Sequence, residues 1–214
     1  MGKPIKADRV LGVGSLLSYR WIILGVITLT HVMNVYSYRS IQALAPLLQL
    51  DFNLQYFQIG MLTSLYFMGA ILLSVPMGWL VDRVGVYWTI AVGQFVVGLF
   101  VLSISFAHSF LIICGLLFLA GMGHGPINPA TGKAVMLWFS KEGRATAMGI
   151  KQTGIPIGGA LAAATIPTIA LILAWRKAII ISGAISLISV LVCLLFYKDS
   201  TKGDVDKIHQ PLPL

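Results

Sequence analysis

Gly78-Trp79-Leu80-Val81-Asp82-Arg83-Val84-Gly85 is a charged octet set between two long apolar runs. Asp82 and Arg83 are adjacent opposite charges at the edge of the apolar stretch, and Gly78 and Gly85 bracket them. The pattern reads as a tight turn at a membrane surface. Gly85 permits a sharp backbone bend and Gly78 the close approach of a neighbouring helix, while Asp82 suits a helix N-terminus. An isolated solvated loop has the same composition, so the surroundings decide.

Those surroundings are apolar on both sides. Six apolar segments run over about 21–48, 56–80, 87–106, 110–137, 146–174 and 178–197, each long enough for the roughly 20 residues that a transmembrane helix requires. The 214 residues are 57% hydrophobic and only 10% charged, and the mean hydropathy is +0.89. Too few polar residues exist to cover a soluble fold of this size, so lipid is the solvent this surface suits. The formal net charge of +8 is topological in origin. Ten of the fifteen Lys and Arg residues fall on the side of the N-terminus, only Arg176 and Lys177 on the other, and Arg39, Lys133 and Lys151 lie in or near helices. That bias places both termini in the cytoplasm and leaves no reason to invoke nucleic acid. Residues 1–20 read as a basic cytoplasmic tail rather than a secretory leader, 21–197 as the bundle, and 198–214 as a polar tail. Cys114 and Cys193 lie inside apolar runs and read as small buried hydrophobes. No nucleophile–base set, metal spacing or phosphate loop occurs, so neither an enzyme, a metal site nor a cofactor is expected.

The octet, in this position and on this side, resembles the G-x-x-x-D-R/K-x-G signature of the major facilitator superfamily between its second and third helices. The resemblance covers residues 20–197, although Val86, Tyr87 and Trp88 stand where the signature continues with basic residues. It implies an all-α, six-helix transmembrane bundle in the bacterial inner membrane, equivalent to the N-terminal half of a twelve-helix transporter. Gly78, Asp82, Arg83 and Gly85 would form the latch between halves. Two three-helix inverted repeats are expected as well. Segments two and five echo each other, with Gly60 and Gly69 preceding Ala70, and Gly149 and Gly158 preceding Gly159.

Three further stretches carry polar chemistry. On the first helix His31, Asn34, Tyr38, Arg39 and Gln42 fall within about 140° of one another at helical spacing. A cation deep in an apolar run needs a cavity or a partner, so Arg39 reads as a fork for a carboxylate or another oxyanion; a structural arginine that snorkels is the competing reading. Tyr38-Arg39-Ser40 followed by Ala45-Pro46 also resembles the organic-anion symporter branch of the superfamily, which implies that Arg39 contacts an anionic substrate. Tyr38 occupies the acidic position of that branch. On the fourth helix, Gly121, Gly123, Gly125, Pro126 and Pro129 predict a bent, closely packed segment, with His124 and Asn128 one turn apart. The branch has a glutamate where His124 stands. Both a proton-carrying and a neutral hydrogen-bonded histidine fit that position. On the fifth helix Gly154 and Gly158 form a G-x-x-x-G face, with Pro156 and Gly159 beside it, read as packing. Gln152 is a candidate cavity residue. Lys151 reads either as a second one or as a snorkelling lysine, and Lys133 as interfacial.

These readings converge on secondary active transport of a small organic anion by alternating access. The substrate-binding set is His31, Asn34, Tyr38, Arg39, His124, Asn128 and Gln152. The implied partners are the bilayer, the solute, a coupling proton, and a second six-helix half or a homodimer partner. Two alternatives remain: a truncated or split half without transport activity of its own, or a membrane binding module.

Overall fold

The computed structural model describes residues 13–199, which fold into α1 (Val13–Ala43), α2 (Ala45–Phe52), α3 (Tyr56–Val84), α4 (Val86–Ile104), α5 (Phe110–His124), α6 (Ile127–Trp138), α7 (Arg144–Leu173) and α8 (Trp175–Phe196). Most of the expected basic N-terminal tail and most of the polar C-terminal tail lie outside the described residues. Six spans are long and apolar enough to cross a membrane: α1, α3, α4, α5 with α6, α7 and α8. Exposed side chains such as Trp21, Phe57, Leu171, Ile172 and Leu195 form an outer surface suited to acyl chains.

Two boundaries depart from the apolar runs. The first run was expected to continue to residue 48, but the helix stops at Ala43 and α2 begins at Ala45. Pro46 sits in the first turn of α2, where its missing N–H costs nothing; inside a longer α1 it would have removed a hydrogen bond. Conversely, the turn expected over residues 81–86 shrinks to one residue. Helix α3 continues through the charged octet to Val84, and Gly85 alone, at φ +91° and ψ 164°, separates it from α4. Glycine reaches that region without steric cost. Gly78 makes no close helix contact: a Cβ built there meets nothing within 4 Å. The expectation of a tight approach at Gly78 is therefore corrected.

Helices pair chiefly as α1 on α7, α3 on α5 and α4 on α8. Small residues let the backbones meet, as membrane packing requires. Gly121 and Gly125 face the backbone of α3 at Tyr66 and Ala70, whereas Gly123 faces Gly93 of α4, whose carbonyl oxygen lies 2.7 Å from a virtual Cβ. The alternation of the three glycines thus serves two neighbours at once. Gly154 and Gly158 lie against the Thr28 and Val32 carbonyls of α1.

Two buried apolar clusters fill the bundle. One holds Ile23, Ile27, Ile90, Val135 and Trp138. The other holds Leu44, Leu48, Ile104, Ile113 and Ile166. Between them, at one level, lie the buried polar residues Thr30, His31, Asn34, Gln94, Lys151, Ser182 and Ser186. The core is therefore two apolar layers around a polar belt.

Candidate functional site

The polar belt is wired across helices. Asn34 of α1 is fully buried and donates Nδ2–H to Gln94 Oε1 of α4 at 3.0 Å. Gln94 Nε2 donates to the Thr30 carbonyl at 2.9 Å, and Ser186 of α8 donates to Gln94 Oε1 at 3.2 Å. Because the Asn34 amide nitrogen is the donor to Gln94, its Oδ1 is left to accept from Nδ1–H of His124. That bond assigns the proton to Nδ1 of His124. The His124 ring also packs against Tyr66 at 5.5 Å and Tyr38 at 5.8 Å between centroids.

A second polar group joins α1, α6 and α7. The Thr131 hydroxyl donates to the Ile127 carbonyl at 2.8 Å, so its oxygen is free to accept. His31 Nε2 lies 2.9 Å from it and Lys151 Nζ 3.2 Å. Lys151 also donates to Asn128 Oδ1 at 2.9 Å. Two histidines and one lysine thus reach the belt with neutral partners only.

Three grooves open on the face made by α1, α3, α6 and α7. One of about 530 Å³ is lined by Ser74, Asn128, Gly132, Lys151 and Gln152. Next to it, sharing Pro129, Gly132 and Met148, is one of about 610 Å³ that holds Gly78, Asp82, Lys133 and Arg144. The third, about 500 Å³, lies between α1 and α7 and holds Arg39, Gln42, Pro156 and Gly159. None of the three takes a residue from α4 or α8, so those helices stand behind this face.

The turn residues make a charged cluster at one end of the face. Asp82 pairs with Lys133 Nζ at 2.7 Å, and the same ammonium donates to the Val81 carbonyl. Arg83 lies over the Trp79 ring, 3.8 Å from its centroid. Asp199, just past α8, accepts from the Tyr87 N–H at 3.2 Å and caps the start of α4. Burial raises the Asp199 carboxyl above its ordinary value, against the pull of that N–H and of the Lys133 charge. The other Asp199 oxygen lies 2.7 Å from where a Gly85 Cβ would stand, a second reason for glycine there.

The polar stripe of the first helix divides in the folded chain. His31, Asn34 and Tyr38 point into the bundle and are buried. Arg39 is exposed on the groove face, where Nη1 donates to Gln42 Oε1 at 2.6 Å and Gln42 in turn donates to Thr63. A 140° arc is wide enough to span the core-facing and groove-facing sides of one helix, which spacing alone does not separate. His124 joins Asn34 and Tyr38, whereas Asn128 and Gln152 lie with Lys151 in a different groove from Arg39. Pro156 and Gly159 line the Arg39 groove, and a Cβ at Gly159 would stand 4.0 Å from the Arg39 side chain.

Sequence reasoning missed Gln94 and left Lys133 and Lys151 without their partners. Lys133, read as interfacial, is the partner of Asp82. Lys151 does not snorkel: it is 2% exposed and turned inward. Gln94 was overlooked, although a lone amide within a 19-residue apolar helix is a signal in itself, because it requires a partner on another helix.

A six-span bundle with a polar belt at mid-depth and grooves on one face is an integral multi-pass membrane protein. The chain belongs to the Major Facilitator Superfamily, whose family model matches residues 27–213. That is a family of transport proteins rather than enzymes, and the bacterial relatives place the chain in the bacterial inner membrane. It is 30% identical to a probable sulfoacetate transporter of Cupriavidus necator over 85% of this chain and 42% of that one. A hexuronate transporter of Bacillus subtilis is 29% identical over 83% of this chain and 42% of its own. A bacterial homologue of the human lysosomal transporter Spinster, solved inward-facing and unoccupied, superposes with a TM-score of 0.75 at 20% identity. The match covers 86% of this chain and 44% of that structure. The likeness to it is one of fold alone. The chain spans about half the length of these relatives.

Proposed function

We propose that this chain forms one wall of a secondary transporter for small organic anions, working by alternating access against a second six-helix unit. The observation that carries the proposal is Arg39. It sits in an open groove of about 500 Å³ and pairs with no carboxylate among the described residues. The four described acids, Asp51, Asp82, Glu142 and Asp199, all lie at or near helix ends, so the described residues supply no anion to Arg39 and a solute oxyanion suits it. A guanidinium offers two parallel donors to a carboxylate or sulfonate. The solutes named for the two relatives, sulfoacetate and hexuronate, belong to that chemical class, which supports placing the chain in the organic-anion symporter branch.

In this proposal the termini are cytoplasmic, residues 21–197 are the bundle, and the two three-helix repeats are inverted with respect to each other. Gly78, Asp82, Arg83 and Gly85 are the latch. His31, Asn34, Tyr38, His124, Asn128 and Gln152 set the polar floor of the solute path, and His124 is the candidate carrier of a coupling proton. Gly154, Pro156, Gly158 and Gly159 shape the contact of α7 with α1.

Uptake of labelled glucuronate and sulfoacetate into proteoliposomes, with and without an imposed pH gradient, tests the reading. Uptake that Arg39→Ala abolishes supports it; uptake that Arg39→Ala leaves untouched removes Arg39 from the site. A second reading follows from the half-length match: the chain binds solute or a partner but transports nothing unaided. Cross-linking in native membranes separates the two. A strictly monomeric population without uptake favours the second reading, and a paired population with uptake the first.

A further inference from the structure

We infer that Lys151 is a second anion anchor, which reads the carboxylate or sulfonate of the solute in the groove between α3, α6 and α7. The inference rests on the organic-anion reading above and adds to it a residue and a place. Lys151 is 2% exposed, although its helix begins seven residues earlier, at Arg144. A lysine two turns inside a helix usually extends its long stem to bring the ammonium back to water. Here the stem turns inward, and the ammonium is held by Asn128 Oδ1 at 2.9 Å and Thr131 Oγ1 at 3.2 Å.

Both holders are neutral. The third neighbour in the cluster, His31, reaches the same Thr131 oxygen and brings no negative charge. A buried cation calls for a counter-charge, and among the described residues none is supplied: the ion pairs formed are Lys133 with Asp82 and Arg176 with Asp51. Two hydrogen bonds leave one of the three ammonium donors unused. Lys151 lines a groove of about 530 Å³ together with Asn128 and Gln152, a size within the range of small-ligand sites. A ligand oxyanion in that groove meets a fixed cation with two amides beside it.

The position relative to Arg39 gives the site its role. The Arg39 side chain of α1 lies 4.0 Å from where a Cβ would stand at Gly159 of α7, the helix that also carries Lys151. Eight residues separate Gly159 from Lys151, about 12 Å along the axis. Arg39 and Lys151, neither paired with a carboxylate among the described residues, therefore stand at two levels of one face, and an anion leaving one meets the other.

The test is equilibrium binding of radiolabelled glucuronate and of neutral glucose to the full chain in lipid nanodiscs, for wild type, Arg39→Gln, Lys151→Gln and Lys151→Arg. Lys151→Gln is expected to weaken glucuronate binding about tenfold or more without changing glucose binding, and Lys151→Arg to stay within about threefold of wild type. Lys151→Gln that binds glucuronate like wild type overturns the inference, as does an equal loss of glucose and glucuronate. A wild type that binds no anion sinks the organic-anion reading itself. Loss in Arg39→Gln but not in Lys151→Gln sinks the Lys151 site alone. If Lys151→Gln gives no cooperative melting transition, Thr131→Val decides, because it removes a buried oxygen that holds the ammonium and lies outside the proposed solute path. Weaker glucuronate binding with unchanged glucose binding supports the site, and unchanged glucuronate binding overturns it.

Discussion

Gln94→Leu removes the hub of the polar belt while nearly conserving volume. Gln94 is fully buried and makes three hydrogen bonds to other helices: from Asn34, from Ser186 and to the Thr30 carbonyl. Interhelical hydrogen bonds in membrane proteins average about 0.6 kcal/mol each, so the three together contribute about 2 kcal/mol. The leucine also leaves the Asn34 Nδ2 donor without its acceptor inside the bundle, a penalty of about 1–3 kcal/mol if no other acceptor is found. The expected loss is therefore about 2 kcal/mol if the Asn34 donor finds another acceptor and about 3–5 kcal/mol if it does not. Unfolding of the purified chain by sodium dodecyl sulfate in mixed micelles, followed by tryptophan fluorescence, measures it. A double-mutant cycle with Asn34→Ala should show a coupling of at least about 0.5 kcal/mol, because the two side chains share a bond. A Gln94→Leu protein within about 0.5 kcal/mol of wild type, with additive effects in the cycle, would refute the wired belt and make these amides ordinary filler.

Two other outcomes follow from the packing and from the turn. Gly121→Ala places a Cβ onto the Tyr66 carbonyl of α3; backbone cannot step aside like a side chain, so a loss of about 1–3 kcal/mol is expected in the same unfolding assay, and an unchanged stability would mean that α3 and α5 lie further apart. Asp199 has its carboxyl raised by burial above the ordinary 3.8, so the folded state holds the proton more tightly than the unfolded one. Its contribution to stability is then fully present below pH 3.8 and is lost as pH rises through the raised value. Wild type should lose stability relative to Asp199→Asn between mildly acid and neutral pH, and a difference that stays flat with pH would show that Asp199 is not held at the start of α4.

Much of the fold is legible along the chain because its cause is local. Apolar runs longer than a bilayer is thick can only be spanning helices, and all six expected segments correspond to spans. The bend of the fourth span was equally readable, since Gly125 and Pro126 interrupt it where α5 hands over to α6. Boundaries were less legible where two local forces compete. Pro46 divides a run that hydropathy joins, and the octet stays helical up to Gly85 although its charges look like a loop.

The site was legible as residue types but not as an arrangement. Chain order marked Arg39, His124 and Asp82 as unusual, because polar and charged groups in or beside apolar runs are costly and have to be matched. Which group matches which is a matter of helix rotation and depth, and these are set by packing between segments remote in sequence. Asn34 meets Gln94 sixty positions away, and Lys133 meets Asp82 across fifty-one. The rotation of α1 that the Gly154 and Gly158 contacts accompany turns His31 and Asn34 inward and leaves Arg39 on the groove. Lys151 shows the division best: its sequence context allowed an extended lysine or an inward one, and only the placement of α6 beside α7, with Asn128 and Thr131 in reach, turns it into the bundle. The sequence by itself determined the membrane class, the number of spans and the family, because each follows from local hydropathy or a contiguous motif. The tertiary structure alone decided the belt, the Asp82–Lys133 pair and the two cationic levels of the groove face, because each depends on the relative depth and rotation of helices far apart in the chain.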